Sequence, residues 1–318
     1  MTIEQRYFGN TGLKVGVLGL GTWELGFSKT NDNIVGSILD AAADAGINVL
    51  DSAAMYGDAE DLLGRLLIGR RDRFLIFTKC GHYWPKLSGL SRLLRRIERD
   101  AGKMLGRPPL EWHPKTLQQT IGESLRRLRT DRIDLIQLHS CSLELLKRGD
   151  VILALQRARE AGNVRYIGYS GDGAAAAFAV NCGAFDAIQI SVNIADQQAI
   201  DDIVPRALSA GLGIIAKRPI ANAVWRNSEL PQDPYMQDYW QRIAALNYGF
   251  IGTSDAVAKA LRFTLMAGVH TAIVGTTSLH HMRSNIEAVR KLGAGDPDYE
   301  EIRRRWREIA PPNWVGKM

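Results

Sequence analysis

The sequence predicts an α/β fold, a closed (β/α)8 barrel, on three observations. Eight short apolar runs alternate with eight stretches of helical periodicity, and strict alternation argues for a parallel sheet. The chain has 318 residues and no linker rich in Pro, Gly or Ser, so one domain, 1–318, is expected. Eight units in that length suit a closed barrel better than an open sheet. Polar residues recur where the apolar runs stop, at Asp51, Lys79, His139, Ser170, Gln189 and Lys217.

Residues 5–17 read as a hairpin turning at Gly9-Asn10-Thr11-Gly12, placed to plug the barrel bottom. Val17 to Trp23 is the first core strand. Gly19 and Gly21 invite a dinucleotide fingerprint, but Glu24 stands where its third glycine belongs, so close packing at a strand end suits them better. A helix follows, capped by Asn31 or Asp32, with Ile34, Val35, Ile38 and Leu39 on its apolar face and Gly46 ending it. The strand Ile47 to Leu50 meets Asp51, and a leucine-faced helix stops near Gly69. Phe74 to Thr78 is a strand ending in Lys79. Residues 80–113 are long for a strand-to-helix connection and suggest a lid. Their arginines fit a basic surface helix, with nucleic acid or membrane contact the weaker reading.

Pro114 opens a helix. Ile133 to Leu138 is a strand ending in His139, and 143–161 is a helical region. Val164 to Tyr169 is a strand ending in Ser170. Strand 186–190 carries Gln189, and a helix near 198–210 precedes strand Leu212 to Ala216 and Lys217. Residues 220–253 form a second lid-like connection, interrupted by Pro231 and Pro234. Ser254 caps a helix, Thr271 to Val274 is the last strand, a helix spans about 279–291, and 297–310 is an extra outer helix.

Hydrophobic content of 46% supports a sizeable core, which argues against wholesale disorder. The net charge of +6 is mildly basic; it fits an anionic ligand such as a phosphorylated cofactor and is weak evidence for nucleic acid. Cys80, Cys141 and Cys182 are an odd count without metal-type spacing, so no metal is expected and reduced thiols in a cytoplasmic protein are. No signal-peptide core or membrane-spanning run is visible.

Taken alone, Asp51 and Tyr56 fit a surface turn as well as an ionisable pair aimed into a pocket. Lys79 alone fits a surface lysine and His139 a hydrogen-bonded packing histidine. In a barrel, however, all strand C-termini open on one face, so these side chains converge. Tyr56 is then the proton donor, Lys79 lowers its phenol pKa, Asp51 keeps Lys79 charged, and His139 orients a carbonyl oxygen. None of these groups can supply a hydride, so a reduction requires a cofactor.

At this point the sequence resembles the aldo-keto reductase family. The likeness runs through Phe8 to Val15, Leu18 to Trp23, Asp51 to Gly57 with Glu60 and Gly64, Thr78-Lys79, Ile133 to His139, and Ile273 to Thr277 with Asn285. It implies a catalytic tetrad of Asp51, Tyr56, Lys79 and His139, and NADPH, with NADH less favoured, lying across the barrel mouth. It implies that Ser170 and Gln189 hold the nicotinamide carboxamide. Lys217, Arg218, Pro219 and Ile220 would follow the pyrophosphate; Gly275, Thr276, Thr277, Ser278, Arg283 and Asn285 would surround the adenosine. Gly21, Thr22, Trp23 and Asp51 join the cofactor site.

The chain departs from the family at Gly171, where Asn often follows the serine; either one carboxamide contact is missing or Asp172 replaces it. His280 and His281 stand where acidic residues or Gln are common, and with Arg283 they suit a 2′-phosphate. Trp23, Tyr56, Tyr83, Trp84, His139 and Trp225 are the candidate lining of the pocket for a small-molecule carbonyl substrate, and Trp23, Tyr83, Trp84 and Trp225 fit ordinary core or lid packing equally well. Two other readings stand beside reduction: a Schiff-base lyase using Lys79, and a cofactor-binding regulatory module with little turnover.

Overall fold

The computed structural model describes residues 2–82, 111–290 and 297–316. Eight parallel strands close into a barrel: β3 (Leu18–Gly21), β4 (Val49–Asp51), β5 (Leu75–Cys80), β6 (Ile133–His139), β7 (Val164–Ser170), β8 (Ala187–Ser191), β9 (Gly213–Lys217) and β10 (Thr271–Gly275), with β10 pairing β3. The β6–β7 register pairs His139 with Ser170, and the β8–β9 register pairs Ser191 with Lys217, so the polar strand ends share one rim.

At the opposite end, β1 (Gln5–Tyr7) and β2 (Lys14–Gly16) form the expected hairpin. It is fixed there because Asn10 N donates to Gly211 O at 2.8 Å and the Tyr166 hydroxyl to Thr11 O at 2.5 Å. Phe8 is fully buried, its ring 5.3 Å from that of Phe77, and fills the barrel floor together with Val15, Val49, Leu135 and Ile215. A larger apolar layer joins the outer faces of the strands to the helices, and a second cluster around Ile194, Val224, Tyr239 and Phe263 carries the outer helix Pro297–Ile309 through Ile302 and Trp306.

Local signals explain most boundaries. Asn31 caps the helix Asp32–Asp44 by accepting from Asn33 N at 2.7 Å, and Gly46 follows with φ +87°. Several expectations need correction. The first strand ends at Gly21, and Trp23–Phe27 is a short helix. Region 143–161 is two helices, Leu143–Arg148 and Asp150–Glu160, broken at Gly149. Region 198–210 is likewise two short helices, meeting at Asp202. Pro234 does not interrupt a loop but begins the helix Pro234–Leu246, where its missing N–H costs nothing and Asp233 caps. Asp255, rather than Ser254, precedes the helix Ala256–Met266. The connection 80–113 falls largely outside the described residues. Among the described residues no helix is long and apolar enough to cross a membrane.

Candidate active site

Asp51 is the last residue of β4, and Lys79 is the penultimate residue of β5, a position deeper than a strand-end lysine. Lys79 Nζ donates to Asp51 Oδ2 at 2.6 Å and to Ser52 O at 2.9 Å, with both side chains almost fully buried. Burial pulls the Lys79 ammonium down, and Asp51 opposes that pull. The pairing therefore offsets part of the cost of burying a charge on Lys79.

Tyr56 sits on the turn after β4. Its backbone carbonyl lies against Gly26 of the first short helix, and Gly57 adopts φ +51° with Gly26 O against its Cα; a Cβ at either glycine would collide with the other segment. This close approach sets the ring 5.0 Å from Trp23 and 5.9 Å from His139, both edge-on, with Lys79 Nζ 5.2 Å from its centroid. Burial pushes the Tyr56 phenol well above its ordinary value, with the Asp51 charge a further raising influence. The expected lowering by Lys79 does not govern the phenol: the cation that acts on it is Arg218, and burial outweighs that attraction.

These four residues line one elongated cavity of about 1960 Å³ across the barrel mouth. Every residue expected to hold a cofactor lines it too, except Ser278, which instead accepts a hydrogen bond from His281 N at 3.4 Å. Gln189 is 2% exposed, and its Oε1 has no partner among the described residues. A buried acceptor of that kind awaits an N–H donor, which a nicotinamide carboxamide carries. Thus the residues present fit a dinucleotide.

The structure places the positions that the sequence leaves open. A Cβ at Gly171 would collide with the Tyr169 ring, whose hydroxyl donates to Cys141 O at 2.9 Å, so no asparagine fits there. Asp172 does not replace it: its carboxylate is taken by Ser191, Lys217 and Arg218 and does not line the cavity. Trp225 also lies outside the cavity, packed against the cluster of Val224 and Tyr239. Tyr83 and Trp84 lie outside the described residues.

Sequence reasoning missed Glu24, His82, Tyr235 and Arg262, all in the cavity wall. Glu24 opens onto the cavity beside Gly275, ringed by enough protein to raise its carboxyl. The ring of His82 is 5.2 Å from that of His139. His82 stands just past the end of β5, so the strand-end rule could have found it.

Residues 17–305 match the Aldo/keto reductase family. The uncharacterized oxidoreductase YqkF of Bacillus subtilis is 26% identical over 90% of this chain and 91% of its own length. L-galactose dehydrogenase of Arabidopsis thaliana is 25% identical over 94% of this chain and 92% of its own. The holo form of aldo-keto reductase AKR11C1 from Bacillus halodurans superposes with a TM-score of 0.78 at 23% identity, covering 95% of this chain and 96% of that one. With the match spanning nearly all of the barrel and the site at its mouth, the chain belongs to the aldo/keto reductase family.

Proposed function

We propose that this chain reduces the carbonyl of an aldehyde or ketone to the alcohol with NADPH, and that Tyr56 supplies the proton. The observation that carries this reading is the gathering of Asp51, Tyr56, Lys79 and His139 in one cavity with the amide oxygen of Gln189, which has no partner among the described residues. When bound, the cofactor supplies the hydride. Tyr56, its phenol raised by burial, keeps its proton at neutral pH until a neighbouring oxygen gains negative charge. Lys79, 5.2 Å from the ring centroid, then stabilises the phenolate left behind. His139, beside the same ring, orients the carbonyl oxygen. Gln189 and Ser170 hold the carboxamide end, and Lys217 and Arg218 meet the phosphates.

The basic part of the cavity wall favours NADPH. His280, His281, Arg283 and Arg262 form it, and several donors there suit a 2′-phosphate. A Schiff-base role for Lys79 is disfavoured because Nζ is committed to Asp51 and Ser52 O and the side chain is 2% exposed. The test is NADPH oxidation, followed by absorbance, over a panel of aldehydes and ketones. Cofactor-dependent turnover supports the reading. Binding without turnover across the panel favours the regulatory alternative, and borohydride trapping of substrate on Lys79 favours the lyase.

A further inference from the structure

On the side of the barrel facing away from β4 and β5, a second buried carboxylate organises the cations of the mouth. Asp172 follows β7 and is 5% exposed. Its Oδ1 accepts from Ser191 N at 2.7 Å, and its Oδ2 from Ser191 Oγ at 2.9 Å. The same Oδ2 lies 2.9 Å from Lys217 Nζ and 3.4 Å from Arg218 Nη2. Lys217 and Arg218 line the cavity, and Asp172 stands behind them. Arg218 holds a left-handed backbone, φ +57°, with its guanidinium 5.4 Å from the centre of the Tyr235 ring.

The outer side of this cluster is closed by the C-terminal stretch. Arg242 donates to Ala195 O at 3.3 Å and Val315 O at 3.0 Å, and its guanidinium lies 5.4 Å from the centre of the Trp314 ring. Gly316 packs so closely that a Cβ there would collide with the Asp172 carboxylate. Backbone 73 residues from Arg242 is thus drawn over the back of the cation-binding carboxylate.

We propose that Asp172 is a positioning residue for the dinucleotide: it holds Lys217 and Arg218 at the groove floor, and Trp314 to Gly316 shield it from water. This rests on the NADPH reading above. Burial draws Lys217 down to about 8, with Asp172 the main opposing charge. Arg218 adds to the lowering, and Asp196 works against it. Without Asp172, Lys217 faces burial and a like charge with only Asp196 in support, and it sheds its proton at a lower pH than in the wild type. Coulomb's law alone predicts the reverse, since deleting a negative charge beside a phosphate site should tighten binding. The sign of the effect therefore discriminates.

The experiment measures NADPH affinity of the full chain by quenching of tryptophan fluorescence, from pH 6 to 9, with adenosine 2′-phosphate as a second ligand for the far end of the groove. Asp172→Asn should weaken NADPH about tenfold or more at pH 7.5, the worth of a charge-assisted hydrogen bond. It should leave adenosine 2′-phosphate unchanged. Wild-type affinity should fall as pH rises through about 8, and the variant's fall should begin lower. Gly316→Val, whose side chain forces the tail and the Asp172 carboxylate apart, should weaken NADPH about two- to threefold, less than loss of the carboxylate because Ser191 still anchors Asp172. Should Asp172→Asn fail to fold, Lys217→Met and Gly316→Val carry the same comparison. Equal or tighter NADPH binding in the variants, parallel loss of both ligands, or an unmoved pH profile overturns the inference while the proposed function survives. Wild-type protein that binds no NADPH overturns both.

Discussion

Two aspartate–lysine pairs face each other across the barrel mouth, and they are built differently. Asp51 meets Lys79 through one oxygen at 2.6 Å, and its Oδ1 is buried without a partner among the described residues. Asp172 engages Lys217 with both oxygens also occupied by Ser191. The first carboxylate has spare capacity beside a phenol; the second is saturated behind two cations. An under-coordinated buried carboxylate is costly to keep, so its survival points to chemistry, whereas a saturated one points to positioning.

The largest effect expected on the first side is at Tyr56. Tyr56→Phe removes the hydroxyl and little volume, so turnover should fall about a thousandfold with NADPH affinity preserved. Steady-state kinetics and fluorescence titration check both halves, and near-normal turnover would unseat Tyr56 as donor. Asp51→Asn tests the pair itself. It leaves Lys79 buried with a neutral neighbour, which should cost roughly 3 kcal/mol of stability and most of the activity. Denaturant unfolding with turnover measured on the folded fraction separates the two losses. If Asp51→Asn proves no more costly than Asp172→Asn, the contrast drawn above fails.

A smaller effect belongs to the far end of the cavity. Arg283→Ala should reduce the preference for NADPH over NADH about tenfold, the value of one charge-assisted contact to phosphate, mostly in KM. Equal losses for the two cofactors would move the 2′-phosphate elsewhere.

The barrel was legible because its signals are periodic and local. The rule that strand ends share a rim found Asp51, His139, Ser170 and Lys217 without any contact information. What escaped was set by contacts distant in sequence. The sequence names Tyr56 but not what brings it to the mouth: Gly26 and Gly57 touch, 31 residues apart, and neither glycine announces its partner. The sequence leaves open whether Asp172 replaces a missing amide contact, because its partners Ser191 and Lys217 lie 19 and 45 positions away. The direction of the Tyr56 shift was misjudged because sequence shows charges but not burial, and here burial outweighs them. Trp225 stays open in the sequence because an aromatic residue in a long connection suits either a pocket or a core, and this one packs against the cluster of Val224 and Tyr239.

The smallest expected effect lies behind Asp172, at Asp196. Its Oδ2 accepts from the Tyr239 hydroxyl at 3.2 Å and is 3.9 Å from Arg242 Nη1, too long for that guanidinium to offset burial. Burial, with the Asp172 charge second, raises its carboxyl to about 7 from 3.8. The folded protein therefore holds a proton that the unfolded chain has released between those values. Its contribution to stability is fully present below 3.8 and disappears as pH rises through about 7. Asparagine resembles the protonated acid in shape and charge. Asp196→Asn should thus leave the melting temperature unchanged at pH 4 and raise it at pH 8, by about 1 kcal/mol or a few degrees. Calorimetry at the two pH values decides this. An equal shift at both, or destabilisation at pH 8, would mean that Arg242 keeps Asp196 ionised, making this side of the mouth a paired network like that of Asp172.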